Sequence, residues 1–207
     1  MYTLYGSKGS GSASVEAALT IANVPFRIVD AASWEPGSAL AELKRVNPLA
    51  QIPTLVLPDA SVMTESAAIL THLGLSHRGL LPENEAQRAQ AIRGLVYIAA
   101  NCYAAIGVID YPERWCKEAD DATKKRIREG ARARLHELWD VFADMFPAQP
   151  FLNGETPGAL DLLAAVVSKW SGARKHLAQS RPAFSALLAR IESAPRVAPI
   201  FARHWPK

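Results

Sequence analysis

The chain has 207 residues, 49% of them hydrophobic and 21% charged, with a formal net charge of +3. Those proportions are ordinary for a globular protein, enough for one large domain or two small ones, and no repeat or low-complexity segment is visible. The basic excess is scattered: its densest cluster, Lys124, Lys125, Arg126, Arg128, Arg132 and Arg134, is broken by Ile127, Glu129 and Leu135, so it reads as a solvated helix face and not as a nucleic-acid surface.

Residues Tyr2 to Tyr5 read as a first strand, left through the loop Gly6 to Ser12. Val15, Ala18, Leu19 and Ala22 then recur at helical spacing up to Asn23, a stop placed before Pro25. Phe26 to Val29 is a second strand, so the opening is a βαβ unit whose strands should run parallel. A weaker helix from Ser38 to Val46 ends at Asn47-Pro48, because the residue before a proline disfavours helical geometry. Thr54 to Leu57 and Ser61 to Met63 form a hairpin around Pro58-Asp59-Ala60, and a further helix opens at Glu65 with Ala67, Ile69, Leu70 and Leu73 on one face.

This βαβαββα order predicts an α/β, thioredoxin-like domain over residues 1–77. A polar, Gly- and Pro-containing joint follows at 78–84, and residues 85–207 read as an all-α bundle. Ile92, Leu95, Val96, Ala99, Tyr103, Ile106 and Ile109 mark one long helix, and Ile127, Ala131, Leu135, Leu138, Phe142 and Met145 another. Tyr111 to Trp115 interrupts between them, and three further helices are expected at about 159–173, 182–193 and 196–203. Cys102 and Cys116 fall in this helical half without CxxC spacing, which argues for packing and against a disulfide framework or a cysteine zinc site. The first residues enter a strand directly and no apolar run approaches the roughly 18 residues of a membrane span, so a cytoplasmic protein with no metal, membrane or nucleic-acid partner is expected.

The stretch from Asn47 to Leu73 carries the first chemistry. Pro53 enters a strand without needing to donate to its ladder, and a cis Ile52–Pro53 bond would turn the N–H and C=O of Ile52 toward a ligand. Thr64-Glu65-Ser66 stands at a helix start, where unpaired N–H groups and a positive dipole end favour an anion. Together these features describe a site for a peptide-like acid.

Asn47-Pro48-Leu49-Ala50-Gln51-Ile52-Pro53-Thr54-Leu55, followed by Glu65-Ser66-Ala67-Ala68-Ile69, resembles the central pattern of the glutathione transferase family, with Ala50 where members usually carry Gly. If that position takes a positive φ, alanine there costs on the order of 1 kcal/mol. The resemblance implies that glutathione is a co-substrate rather than a cofactor. It further implies that Ile52, held by Pro53, pairs its backbone with the cysteinyl part, that Glu65 meets the γ-glutamyl amine and Ser66 its carboxylate, and that Gln51 reaches the glycyl end. A small hydrophobic electrophile is the implied second substrate, with Tyr103, Ile106, Tyr111 and Trp115 as candidate pocket residues, and a homodimer is the implied assembly. In Phe151 to Asp161 the family's helix cap three residues before an Asp is matched by Asp161, but Gly158 holds the cap position.

The loop Gly6 to Ser12 admits three readings. Gly9-x-Gly11-x-x-Ser14 with Asp30 imitates a dinucleotide fingerprint, but the third glycine is missing and the chain continues into an antiparallel hairpin. The serines would otherwise only cap the first helix. The third reading is catalytic: a thiol of pKa about 8.5 needs a hydrogen bond, a cation or a helix N-terminus to become a thiolate at neutral pH, and this loop offers all three. Ser10 is in register with the serine of the serine-loop transferases, Ser12 is the alternative, Lys8 offers charge or mobility where many members carry Pro, and Tyr5 is the nearest tyrosine, better suited to the core. With no cysteine in the loop, addition or substitution by glutathione is expected over disulfide exchange.

Overall fold

The computed structural model describes residues 1–206. Strand β1 (Tyr2–Gly6) leads into helix α1 (Ser12–Ala22), strand β2 (Phe26–Asp30) and helix α2 (Leu40–Val46), followed by β3 (Thr54–Val56), β4 (Val62–Met63) and α3 (Ser66–Ser76). The sheet order is β2-β1-β3-β4, with β1 parallel to β2 and antiparallel to β3, and β3 antiparallel to β4. This is the thioredoxin-like arrangement, and the parallel pair follows from the helical crossover between β1 and β2. Helix α1 stops where the sequence places the stop, because Asn23 adopts a left-handed φ of 55° and its N–H returns to the last turn.

The helical half comprises α4 (Glu85–Tyr97), a π-helical segment over Ile98–Tyr103, α5 (Ala104–Asp110), a 3-10 turn at Pro112–Arg114, α6 (Asp121–Met145), α7 (Ala159–Val167), α8 (Ala173–Ser180), α9 (Pro182–Ser193) and α10 (Ala198–His204). Helix α7 ends earlier than expected, because Ser171 and Gly172 both take positive φ and reverse the chain before α8. Helix α8 escapes the hydrophobic pattern, since Ala173 and Leu177 are its only buried residues. On α6 the buried face is Leu135, Leu138, Trp139 and Phe142; Met145 is exposed and Phe146, one residue on, stacks on Phe142 with centroids 4.5 Å apart. Cys102 is buried in the π segment, whereas Cys116 lies in the turn after the 3-10 helix and not in a helix.

The run from Glu85 to Asp110 is one continuous helical rod, and its most apolar window, of mean hydropathy 1.6, is long and apolar enough to cross a membrane by length and composition. That corrects the expectation that no run reaches such a length. Its Ala91, Leu95, Ile98, Cys102, Ile106 and Ile109 are buried in the core shared with α6 and α7, the pattern of a bundle's central helix. This apolar core is continuous from Tyr2 and Leu4 through α1 and α3 to Phe201 of α10, so the sheet and the bundle are packed as one body.

Candidate functional site

The site forms where the ends of β1 and β3 meet the starts of α1 and α3. Behind it, Asn47 is nearly inaccessible and organises the loop before β3. Its side-chain amide donates to Gln51 O at 3.1 Å and to Thr54 Oγ1 at 2.9 Å, while its Oδ1 accepts from Leu49 N–H at 3.1 Å. Thr54, fully buried, donates in turn to Gln51 O at 2.8 Å. These two residues do the positioning that the sequence reading missed; the clue was a polar residue at each end of the loop between α2 and β3. Ala50 takes φ 52°, so the position that usually carries Gly does use the left-handed region. The Ile52–Pro53 bond is cis, and neither the N–H nor the C=O of Ile52 has a backbone partner among the described residues. Pro53 is buried and Ile52 half-buried, while Gln51 is exposed at the rim.

Glu65 precedes α3 with φ 64° and ψ 108°, a conformation that costs a non-glycine residue on the order of 1–3 kcal/mol and persists only where the surroundings enforce it. Its side chain is exposed and caps nothing, so capping alone does not account for the acid there. The helix starts at Ser66, so its first N–H groups have no intrahelical partner and, among the described residues, no side-chain cap.

The loop after β1 is closed by its own serines. Ser10 Oγ donates to Ser7 O at 2.8 Å and accepts from Ser12 N–H at 3.2 Å; Ser12 Oγ accepts from Ser7 N–H at 3.2 Å. The two hydroxyls lie 2.8 Å apart, and Ser12 Oγ is also 3.2 Å from Ser7 O. Ser10 and Ser12 are 6% and 2% exposed, both at the amino end of α1. A ligand sulfur must therefore compete with Ser7 O for a hydroxyl proton. Lys8 is exposed. Tyr5 points to the other face, where its hydroxyl donates to Glu42 Oε1 at 2.6 Å; burial and that carboxylate push its pKa up, which suits a structural tyrosine and not a thiol activator.

Loop, proline and bundle converge at Gly11. A Cβ there would lie 2.8 Å from the Tyr103 hydroxyl and 3.6 Å from Pro53 Cδ, so only glycine lets the three meet. The π segment carries Tyr103 to this place, and its ring packs edge-on against Trp170 at 5.7 Å. Burial, reinforced by Asp110 and Glu65, pushes the Tyr103 hydroxyl up to about 12, so at neutral pH it stays protonated and is able to donate a hydrogen bond. The other pocket candidates diverge. Ile106 is buried at 4% in the core, Tyr111 is covered by the Arg114 guanidinium at 3.9 Å, and Trp115 stands 67% exposed in the turn beyond. Only Tyr103 of that set is shown against the serine loop. Burial pushes the Cys102 thiol up to about 12, which leaves it inert.

Asp161 is fully buried and accepts from the backbone N–H groups of Leu152 at 2.8 Å, Asn153 at 3.0 Å and Gly158 at 3.0 Å. The glycine at the cap position is required by space: a Cβ would fall 2.3 Å from Asn153 Cγ and 2.6 Å from Leu80 O. Among the described residues no cluster of side chains fit to hold a metal ion is present.

A family model described as the glutathione S-transferase N-terminal domain matches residues 12–75. The chain is 31% identical over 207 residues to the uncharacterized GST-like protein YncG of Escherichia coli K12, covering 99% of this chain and 98% of that one. It is also 36% identical over 93 residues to a probable maleylacetoacetate isomerase of Caenorhabditis elegans, 44% of this chain and 42% of the relative. Among solved structures, a glutathione transferase homologue from Sulfitobacter with bound glutathione superposes with a TM-score of 0.82 at 21% identity, covering 97% and 96% of the two chains. A sphingomonad glutathione S-transferase complexed with glutathione gives 0.77 at 20% identity, with 98% of each chain covered. The chain belongs to the glutathione S-transferase family.

Proposed function

We propose that the protein is a glutathione transferase that lowers the pKa of the glutathione thiol with a hydroxyl of the Ser10–Ser12 pair and directs the thiolate onto the electrophilic carbon of a small hydrophobic compound. The observation that carries this reading is the convergence of the serine loop, cis-Pro53 and the Tyr103 hydroxyl around Gly11. In this reading Ile52 pairs its unpartnered N–H and C=O with the cysteinyl unit, and Glu65 and Ser66 take the γ-glutamyl ammonium and carboxylate. Gln51 reaches the glycyl end. The thiolate is favoured by the hydroxyl and by the amino end of α1, and the electrophile enters past Tyr103, bounded by Tyr111 and Trp115 toward the turn, with Ile106 behind them. A cytoplasmic homodimer with 1–77 and 85–207 as its two domains completes the proposal. It is tested by calorimetric titration with glutathione followed by turnover of a generic aryl halide: micromolar to millimolar binding with turnover supports it, and absence of glutathione binding refutes it.

A second reading has its own support. Both serine hydroxyls are satisfied internally, which fits a protein that binds glutathione or hydrophobic ligands without activating the thiol. The likeness to a probable maleylacetoacetate isomerase supports glutathione-dependent isomerisation as a further variant, alongside peroxide reduction or dehalogenation. Binding without turnover over a broad electrophile panel favours the first of these, and product analysis separates the rest.

A further inference from the structure

The end of the bundle reaches back to the serine loop. Gly9 takes φ +67°, and its N–H donates to His204 Nδ1 at 3.1 Å across 195 residues of chain. His204 Nε2 lies 2.8 Å from Glu16 Oε2 on α1, and the other Glu16 oxygen pairs with Arg203. A backbone N–H can only donate, so Nδ1 is the unprotonated acceptor and a neutral ring carries its proton on Nε2, facing the carboxylate. His204 and Glu16 are 7% and 3% exposed, and neither imidazole nitrogen is left for a ligand. The Trp205 indole nitrogen and the His204 carbonyl oxygen would each lie 3.7 Å from a Cβ on Gly9, so residues 204–205 cover the turn that immediately precedes Ser10.

We propose that His204, oriented by Glu16, is a positioning residue for the serine pair: by accepting from Gly9 it holds the loop in the conformation that delivers Ser10 and Ser12 to the amino end of α1. This rests on the reading of the loop as the thiol-activating element. His204 touches no reacting atom; it acts through Gly9. The arrangement makes the far end of the helical half part of the machinery formed by β1 and α1, a coupling that neither half carries alone.

Two substitutions divide the contacts. His204→Asn keeps an acceptor near the Nδ1 position and gives up the reach to Glu16, whereas His204→Gln keeps a donor toward Glu16 and gives up the acceptor for Gly9. The readouts are amide hydrogen exchange over Ser7 to Gly11 and the pKa of bound glutathione, followed by thiolate absorbance. His204→Gln is expected to speed Gly9 exchange at least tenfold and to raise the bound thiol's pKa, with His204→Asn restoring both toward the unaltered protein. Unaltered exchange and unaltered thiol pKa in His204→Gln overturn the proposal. If both variants fail to fold, 15N NMR of the unaltered protein at pH 7 decides: an Nε2-protonated neutral ring with a protected Gly9 amide supports it, and the opposite tautomer or an imidazolium overturns it. If the unaltered protein does not lower the thiol pKa at all, the transferase reading fails, while the exchange arm still decides whether His204 holds the loop.

Discussion

Asn47 satisfies three partners inside a loop that has no ladder of its own, and those bonds fix the loop in which Ile52 leaves its N–H and C=O without a backbone partner among the described residues. Replacing it with alanine leaves Leu49 N–H without its acceptor and Thr54 Oγ1 without its donor, so Asn47→Ala should lower stability by about 1–3 kcal/mol. It should also weaken glutathione binding by about tenfold, since the ligand must then order the loop itself, at a cost of about 1.4 kcal/mol. Urea unfolding and calorimetry measure the two effects separately. Equal glutathione affinity in the variant would show that the Asn47 bonds do not order the loop for the ligand. The proline, the glutamate and the serine of this site were legible because each departs from its local pattern, while Asn47 and Thr54 were not, because an asparagine before a proline reads as a helix stop and a threonine as a strand former. The paired hydroxyls of Ser10 and Ser12 were equally hidden: sequence names both serines, but only the folded loop brings their oxygens to 2.8 Å.

Among the elements, the start of α7 shows how a departure from a family pattern can be compensated. Gly158 stands where a Ser or Thr cap is usual, and the Asp161 carboxylate still collects three backbone N–H groups. Restoring the hydroxyl with Gly158→Ser should destabilise the protein here by about 1–3 kcal/mol, because the new Cβ meets Asn153 and the fixed carbonyl of Leu80. Thermal unfolding of that variant checks this, and stabilisation by the serine would mean that the Leu80 segment yields. Strongly periodic elements such as α1, α3 and α6 were readable in outline. Helix α8 was not, because two buried residues four apart are too few to show a period, and the turn at Ser171-Gly172 is set by left-handed residues whose need the sequence does not announce. The pocket candidates chosen for aromatic character divided for the same reason: the π segment aims Tyr103 at Gly11, whereas Tyr111 and Trp115 fall beyond the end of α5.

The shared core and the His204 contact make the stability of the protein depend on pH in a way that can be assigned. Burial, with Arg203 and Lys8 nearby, pushes His204 down to about 4; Glu16 on α1 accepts a hydrogen bond from its Nε2–H, and Lys169 lies over the adjacent Trp205 ring at 4.8 Å. An unfolded histidine titrates near 6.5, so between these values the unfolded chain takes up the proton first. The contribution is complete above about pH 6.5 and is lost as the pH falls toward about 4. Asp161 works with the opposite sign, since burial pushes it up to about 6 and the folded state is favoured by protonation as the pH falls through that value. The difference between the unaltered protein and His204→Gln isolates the histidine: the gap in unfolding free energy should narrow from pH 7 to pH 4.5, and a gap independent of pH would contradict the neutral, doubly bonded imidazole.

In the proposed reading the serine loop decides the chemistry, and the absorbance titration of protein-bound glutathione tests it most directly. In the unaltered protein the bound thiol should titrate at least one unit below its ordinary value of about 8.5, equivalent to about 1.4 kcal/mol of preference for the thiolate. The double substitution Ser10→Ala, Ser12→Ala should return it close to that value while glutathione still binds through Ile52, Glu65 and Ser66. A doubly substituted protein whose bound thiol titrates as in the unaltered one would contradict activation by the serine pair.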